Sequence, residues 1–248
     1  MKSLLRSLCT LAPALAFAAI CSAHVSEAVH EKYPLTANGT VHLENVNGTV
    51  VIEAWDKPEV ALEAEKTAPD DDYLKLIHIV VDSKPDEISI KTEYEKKHTF
   101  FGDTRGEVTY HLKVPSGATL KGINVVNSDI EVRGVTAWVD LKTVNGKIDA
   151  TGLTAGGHFD TVNGSISVSF SHVSSAISLN TVNGSCRVKV PKDSAFSLKA
   201  SSVNGNTTCD LPVTLEKSGH HHLRGTVGGG GPEVSLSSVN GSLAISSS

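Results

Sequence analysis

Apolar and polar residues alternate along much of this chain, and the alternation predicts β-strands. Val41 and Leu43 share one face of the first such segment, and Val50 and Ile52 share one face of the next. A two-residue period is typical of strands that bury one side. The same period returns at 60–64, 77–81, 88–92 and 108–114. We therefore predict an all-β protein.

The tripeptide Val-Asn-Gly interrupts this alternation repeatedly. Counting from Asn127, whose copy has Ser in place of Gly, the next asparagines of the series follow after 18, 18, 20, 21 and 36 residues. The buried positions shift by one residue across each Asn-Gly pair, as they do at a corner or a tight turn. The predicted turn corners are Asn47, Gly48, Asn127, Asn145, Gly146, Asn163, Gly164, Asn183, Gly184, Asn204, Gly205, Asn240 and Gly241.

Two arrangements of the repeats fit this pattern. Asn-Gly favours a type I′ hairpin, because both residues accept positive φ, and the repeats would then be stacked hairpins. Alternatively, each repeat is one coil of a single-stranded β-helix or β-solenoid with about 18–21 residues per coil, and equivalent strands pair in parallel. We favour the solenoid, because Thr or Ser and then Val recur before the Asn. Stacked at ~4.8 Å, these positions would form ladders of Asn amides and of β-branched side chains.

One interval breaks the regular spacing. Asn204 and Asn240 are separated by twice 18 residues, and the segment between them lacks a corner signature. We interpret the interval as a full extra coil whose turn has been replaced. The glycine run at 228–231 is predicted to be a flexible loop within it.

The same patterns suggest where regions begin and end. Residues 24–37 are polar and are predicted to be a linker. Residues 38–120 are predicted to be a compact antiparallel β region that begins the fold and protects its first edge. Within it, the charged segment 93–106 is expected to be an exposed loop with two phenylalanines at its tip. Residues 121–248 are assigned to the Val-Asn-Gly repeat solenoid.

The first 23 residues have the features of a secretory signal peptide. Lys2 and Arg6 supply the basic end, 8–20 the apolar core, and Ala23 the end of a cleavage site. An apolar core of about 13 residues is too short for a membrane span, which needs roughly 20. Lipid attachment at Cys21 is the less favoured alternative, because a bulky residue precedes it. We expect a protein exported to the periplasm, the cell envelope or the exterior, with no transmembrane segment in the mature chain.

Charge argues against one class of partner. The net charge is −5, and Lys and Arg are scattered instead of clustered. Nucleic-acid binding requires a concentrated basic footprint, so we predict no nucleic-acid partner.

Cys186 and Cys209 remain after removal of the signal peptide. An oxidising compartment would permit a disulfide between them. They lie three residues after Asn183 and five residues after Asn204, and this offset strains the geometry that a disulfide tolerates. We therefore favour two small buried thiols, and the disulfide remains the alternative.

No motif in the chain predicts catalysis, a cofactor or a metal ion. Consecutive residues of a strand point to opposite faces, so the three histidines at 220–222 cannot all converge on one ion. The acidic run at 70–72 lacks the spacing of a calcium loop. The glycine run at 228–231 is not followed by the Lys and Ser or Thr of a phosphate loop. We predict no catalytic, cofactor-binding or metal-binding residues.

The sequence resembles a known family. The segments VHLENVNGTVVIEAWDKPEV, YHLKVPSG and GGGGPEVSLSSVNGSLAIS, together with the Val-Asn-Gly repeats, resemble the bacterial DUF4097 family of adhesin-like proteins. The resemblance covers nearly all of the chain after the signal peptide. It implies a right-handed, single-stranded β-helix in an exported or envelope protein, and it supplies no functional residues.

These features are compatible with three hypotheses of function. The first is a non-enzymatic adhesin-like or scaffold protein whose partner is an envelope protein or a glycan. The second is a β-helix enzyme acting on polysaccharide, which needs carboxylates lined up over successive coils. The third is an accessory of envelope stress or signalling. The carboxylates available to the enzyme are Asp129, Glu131, Asp140, Asp149 and Asp160.

Overall fold

The structure of the protein, a computed structural model, describes residues 24–95 and 106–248. The predicted signal peptide and most of the predicted loop with Phe100 and Phe101 lie outside these residues. The first strands are β1 (Val25–Pro34), β2 (Thr40–Asn47), β3 (Val50–Trp55), β4 (Glu59–Ala68), β5 (Ile77–Ser83), β6 (Glu87–Tyr94) and β7 (Glu107–Pro115), with helix α1 (Asp71–Leu74) between β4 and β5.

The remaining strands run through the repeats to the C-terminal region. They are β8 (Thr119–Asn127), β9 (Ile130–Arg133), β10 (Val139–Asn145), β11 (Ile148–Leu153), β12 (Gly157–Asn163), β13 (Ile166–Phe170), β14 (Ile177–Asn183), β15 (Cys186–Val190), β16 (Phe196–Asn204), β17 (Thr207–Cys209), β18 (Val213–Gly219), β19 (His222–Val227), β20 (Glu233–Asn240) and β21 (Leu243–Ser247). The fold is therefore all-β, as predicted. Over the described residues, no helix has the length and apolar character needed to cross a membrane.

Two long sheets enclose a continuous apolar core. Sheet A has ten strands in the order β1-β4-β7-β3-β9-β11-β13-β15-β21-β17. Sheet B has eleven strands in the order β18-β19-β16-β20-β14-β12-β10-β8-β2-β6-β5. Alternate residues point inward, as in β10, where Val139, Leu141 and Thr143 are buried and Lys142 is exposed. The alternation in the sequence thus separates a buried face from a solvent face in each strand.

The strands on either side of each corner lie in different sheets. β10 precedes Asn145 and belongs to sheet B, whereas β11 follows it and belongs to sheet A. Equivalent strands of neighbouring repeats pair in parallel and in register, for example Thr143 with Thr161 and Ile148 with Ile166. Each corner with its two strands is therefore one coil, and the coils stack as in a solenoid. Stacked hairpins do not describe this chain, because a hairpin would pair the two strands that flank one corner.

The order of the coils in the stack differs from their order in the chain. The last coil, β20 with β21, lies between the coil of β14 and β15 and the coil of β16 and β17. The interpretation of 205–239 as an extra coil is therefore wrong. That interval contains β17, the antiparallel pair β18–β19, and the return of the chain to the inserted coil. The 36-residue spacing arises because the chain first forms this pair on the edge of β16.

The N-terminal region also differs from its prediction. β2 and β3 form a coil that stacks in parallel on β8 and β9, and β6 and β7 stack in parallel on β2 and β3. Residues 38–120 are therefore not an antiparallel region throughout, and the antiparallel pairs there are β4–β7 and β5–β6. The predicted linker at 24–37 contains β1, which pairs antiparallel with β4 along its whole length. The predicted boundary at residue 120 falls inside β8.

Candidate binding face at the coil corners

The corner asparagines form one continuous ladder of side-chain hydrogen bonds. Each Nδ2 donates to the Oδ1 of the asparagine on the adjacent coil, at 2.8 to 2.9 Å throughout. At one end, Nδ2 of Asn47 donates to the carbonyl of Gly106 at 3.1 Å. The order along the stack is Asn47, Asn127, Asn145, Asn163, Asn183, Asn240 and Asn204.

Buried hydroxyl groups support the ladder from inside. Oγ1 of Thr161 donates to the carbonyl of Gly146 at 3.2 Å, and Oγ1 of Thr181 donates to the carbonyl of Gly164 at 3.0 Å. Thr143, Ser238 and Ser202 make the corresponding bonds on their coils. In the first coil Asn45 takes this position, and its Nδ2 donates to the carbonyl of Val108 at 2.9 Å. Thr or Ser recurs two positions before Asn because its hydroxyl supplies a donor to a part-buried corner carbonyl.

The corner glycines are required by close backbone contact. A Cβ on Gly164 would lie 1.8 Å from the carbonyl oxygen of Gly146, and a Cβ on Gly184 would lie 1.8 Å from the carbonyl oxygen of Gly164. Positive φ is not the reason at these positions: among the corner glycines only Gly48 has it, at 109°, and no described non-glycine residue does. The positive φ that the hairpin alternative assigns to Asn-Gly therefore does not account for most of these glycines.

The corner valines are exposed and form a second row beside the asparagines. Their exposed fractions run from 37% at Val126 to 63% at Val203, and Val46 at the first coil is half-buried. The row spans seven stacked coils, or ~29 Å at the usual strand spacing. The members in stack order are Val46, Val126, Val144, Val162, Val182, Val239 and Val203. The sequence indicates this exposure, because alternate strand residues point outward and Val directly follows a buried Thr or Ser in most copies.

The valine row and the asparagine ladder together form the corner face. A carboxamide has two N–H groups and an oxygen with two lone pairs, and the ladder uses one N–H and one lone pair of each inner asparagine. One donor and one acceptor per coil therefore remain for a ligand. The face carries no ionisable side chain of its own. It offers an apolar row beside regularly spaced, uncharged hydrogen-bonding groups.

The carboxylates considered for an enzyme do not converge. Glu131 and Asp149 are register neighbours on the outer face of sheet A, whereas Asp140 and Asp160 lie on sheet B. Oδ1 of Asp129 accepts from the backbone N–H of Lys147 at 2.7 Å, which ties this carboxylate to a corner. Four of the five therefore occupy two opposite sheets, Asp129 lies at a corner between them, and the five do not line one cleft.

A depression of about 370 Å³ on sheet A includes only one of the five. It is lined by Glu131 together with Glu53, Glu63 and neighbouring basic residues. The guanidinium of Arg133 lies 2.9 Å from both the Glu53 and the Glu131 carboxylates. Arg133 thus pairs with two of the three carboxylates that line this depression.

The other polar clusters have structural partners. Nδ1 of His221 lies 2.9 Å from the carbonyl of Gly205, and the His221 carbonyl accepts from the backbone N–H of Ser202 at 2.7 Å. Oδ1 of Asp70 caps helix α1 by accepting from the backbone N–H of Tyr73 at 2.9 Å. Over the described residues, no group of three or more His, Cys, Asp or Glu side chains could hold a metal ion.

The two cysteines are free thiols separated by a strand. Cys186 on β15 aligns with Leu243 of β21, and Cys209 on β17 aligns with Ile245 of the same strand. Two strand spacings alone place their backbones ~10 Å apart, and the two-residue offset along β21 adds to this, so the separation exceeds the ~7 Å that a disulfide spans. Burial raises the pKa of the Cys186 thiol to about 12. Cys209 is half-buried, and burial raises its pKa as well.

Comparison with known proteins identifies the family of this fold. The profile of the DUF4097 family, described as Toastrack DUF4097, matches residues 67–246. The chain belongs to the DUF4097 family. The resemblance drawn from the Val-Asn-Gly repeats is thereby confirmed. No functionally curated protein matches the chain.

Solved structures similar to this DUF4097 protein come from several bacteria. A "putative cell adhesion protein" from Clostridium sporogenes is 12% identical, with a TM-score of 0.42 and coverage of 90% of this chain and 100% of that one. A "putative adhesin" from Bacteroides fragilis is 13% identical, with a TM-score of 0.34 and coverage of 90% and 97%. A "putative lipid binding protein" from Parabacteroides distasonis is 10% identical, with a TM-score of 0.33 and coverage of 90% and 96%.

Proposed function

We propose that this DUF4097 protein is an exported, non-enzymatic, adhesin-like or scaffold protein of the bacterial cell envelope. Its binding site is the corner face, and its partner is a glycan or another envelope protein. The observation that carries the proposal is the exposed row of valines beside the asparagine ladder, repeated without a break over seven coils. A soluble monomer rarely exposes a contiguous apolar patch without a use for it.

The shape of the corner face favours a linear glycan over a protein. A standard protein interface is a compact patch of about 800 Å² per partner. The corner face is instead ~29 Å long and only a few side chains wide. A glycan chain is similarly long and narrow, and its hydroxyl groups can use the free amide donors and acceptors while its C–H faces pack on valine. The lack of charged side chains in the row suits a neutral glycan.

Three further expectations belong to this proposal. Export depends on the predicted signal peptide at 1–23, and lipid attachment at Cys21 is the less favoured alternative. The right-handed sense of the coils rests on the family resemblance. The antiparallel strands β1, β4 and β5 at one end and β18 and β19 at the other act as caps, because they occupy the edges at which the parallel stack would otherwise continue.

Glycan-array binding and a pull-down from envelope fractions test the proposed function. Val162→Lys places a charge in the middle of the row, and Ser167→Lys places the same charge on the opposite sheet of the same coil. We expect Val162→Lys to lower binding at least about tenfold and Ser167→Lys to leave it unchanged. Binding to neither glycans nor envelope proteins would contradict the proposal, as would equal effects of the two variants.

A further inference from the structure

The two sheets end unevenly at the β1 end of the stack. Within residues 24–95 and 106–248, sheet A continues beyond the coil of β6 and β7 with β4 and then β1, whereas sheet B continues with β5 alone. Sheet A therefore extends one strand further than sheet B. Among the residues that the structure describes, no strand of sheet B lies opposite the inner face of β1, so one strand position next to β5 is vacant there.

The outer edge of β5 carries unpaired backbone groups. The carbonyl of Leu76 accepts from the N–H of Glu95, and the N–H of Lys84 donates to Glu87, so even-numbered residues direct their backbone groups toward β6. Since the direction alternates along an antiparallel strand, odd-numbered residues of β5 face the free edge. At Ile77 the carbonyl accepts from Nζ of Lys66 at 3.5 Å.

Ile79 and Val81 are the next odd-numbered residues of this edge. Their N–H and C=O groups have no strand partner among the residues that the structure describes. Natural edge strands are usually protected by Pro, Lys or a bulge. The segment Ile77–Ser83 contains no Pro or Lys, and its unbroken register with β6 shows that it has no bulge.

The space between β1 and β5 is an open groove of about 370 Å³ lined by both apolar and charged side chains. Val29 and Tyr33 of β1 face Ile79 and Val81 of β5 across it. Lys66 and Glu31 also line it. Nζ of Lys66 lies 2.8 Å from the carboxylate of Glu27, so this pair is neutralised. Glu31 accepts a hydrogen bond from the Tyr33 hydroxyl and has no cationic partner among the described residues.

We propose that β5 binds one extended strand of a partner protein, which adds to sheet B and packs against the inner face of β1. The main chain of the added strand would pair with Ile79 and Val81, as in other complexes formed by β-strand addition. Its inward residues would be apolar on alternate positions, with one Lys or Arg placed to meet Glu31. This site lies at the end of the stack and is separate from the corner face.

A second copy of this chain does not fit the same edge through its own β5. In a symmetric β5–β5 pair, β1 of each copy would occupy the position that β4 of the other needs, because sheet A already extends over the vacant place. The overhang of β1 therefore blocks edge-to-edge pairing of two copies and leaves room for a single strand. This geometry favours a strand from a different protein.

Peptide binding followed by backbone hydrogen exchange tests the proposal on the unaltered protein. The probe is a capped octapeptide that alternates valine and threonine, with one inward valine replaced by lysine. The matched control is the same peptide N-methylated at the residues that face β5, which removes donors and keeps the side chains. We expect the probe to slow exchange at Ile79 and Val81, and the N-methylated peptide to bind at least about tenfold more weakly.

Three variants separate the roles of the backbone and of charge. Ile79→Pro removes an N–H that does not bond to β6, and Ile79→Thr keeps this N–H with a smaller apolar side chain. The proline variant should lose binding and the threonine variant should retain most of it. Glu31→Gln should remove the preference for the lysine-containing peptide over the same peptide with valine at that position.

Several results would overturn the strand-addition site. One is the absence of any protection by the probe, and another is equal binding of the N-methylated peptide. A third is protection of Ile79 and Val81 in the free protein, because the edge would then already be covered by this chain or by a second copy. Glycan binding by the corner face is measured separately, so failure of either site leaves the other to be judged alone.

Discussion

The carbonyl oxygen of Gly146 lies 1.8 Å from the place that a Cβ on Gly164 would occupy. The backbones of adjacent coils thus meet at the corner with no space for a side chain. The N–H of Gly146 donates to the carbonyl of Asn163 at 3.2 Å, which joins the same two coils from the other direction. The close backbone contact, the Asn ladder and the hydrogen bond of the Thr hydroxyl occur together at each such corner. Their combination explains why Thr or Ser, Asn and Gly recur there.

Gly164→Ala should destabilise the protein strongly. The new methyl group would collide with backbone atoms, which cannot move away as a flexible side chain can. We expect a loss of about 3 kcal/mol or more in the free energy of unfolding, at the upper end of overpacking effects. Urea denaturation followed by circular dichroism measures it. Ser165→Ala, on the adjacent residue, removes only a long hydrogen bond from the N–H of Ser185 at 3.5 Å and should cost less than about 1 kcal/mol. Similar stability of the two variants would contradict the contact.

The position of an asparagine in the ladder should determine how much its loss costs. The Asn163 side chain is bonded to Asn145 and to Asn183, whereas the Asn204 side chain has Asn240 as its one partner within the described part of the chain. At about 1 kcal/mol per net hydrogen bond, Asn163→Ala should cost roughly twice as much as Asn204→Ala. Denaturation midpoints of the two variants test this ratio. A larger loss for Asn204→Ala would mean that the ladder does not add stability bond by bond.

The sequence does not predict the order in which the coils stack. The segments around Asn183, Asn204 and Asn240 share Thr or Ser, Val, Asn and a following Gly, so each fits beside either of the others. Alternation likewise does not distinguish parallel from antiparallel pairing, and β2 and β3 were therefore assigned to the wrong kind of region. β1 resembles a linker because it is an edge strand in which only Val25, Val29 and Tyr33 are even partly buried.

The two proposed sites differ in how far the sequence alone predicts them. The exposure of the valine row can be predicted from the two-residue alternation, because Val stands between a buried residue and the corner. The free edge of β5 could not, since its apolar residues look the same whether one or two strands flank them. Its vacancy depends on how far each sheet extends, and only the three-dimensional arrangement shows that.

Deamidation should begin at the end of the stack. Ring closure requires the backbone nitrogen of the glycine to attack the side-chain carbonyl carbon of the preceding asparagine. The N–H of Gly164 donates to the carbonyl of Asn183 at 3.0 Å, whereas Gly205 has no backbone acceptor among the described residues. On prolonged incubation at alkaline pH, peptide mapping by mass spectrometry should find conversion at Asn204 before Asn163. Equal rates at the two positions would contradict protection by stacking.

The two thiols should react at different rates in the folded protein. Cys186 is fully buried in β15, whereas Cys209 lies half-buried in the short edge strand β17. A thiol-specific reagent at pH 8 should therefore modify Cys209 first, and Cys186 should react only on unfolding. Mass spectrometry of the labelled peptides distinguishes the sites. Recovery of a Cys186–Cys209 disulfide from the native protein would contradict the insertion of β21 between them.

The buried thiol should also make stability fall at alkaline pH. Burial raises the pKa of Cys186 from 9.0 to about 12, so between these values the unfolded chain loses the proton while the folded chain keeps it. The free energy of unfolding falls with rising pH wherever the unfolded state binds fewer protons than the folded state. The contribution of Cys186 to stability is therefore complete below pH 9 and declines as the pH rises toward 12. Melting temperatures of the protein and of Cys186→Val between pH 8 and pH 11 test this. The valine variant should show the shallower decline, because its side chain does not titrate, and parallel curves would show that other groups control the alkaline transition.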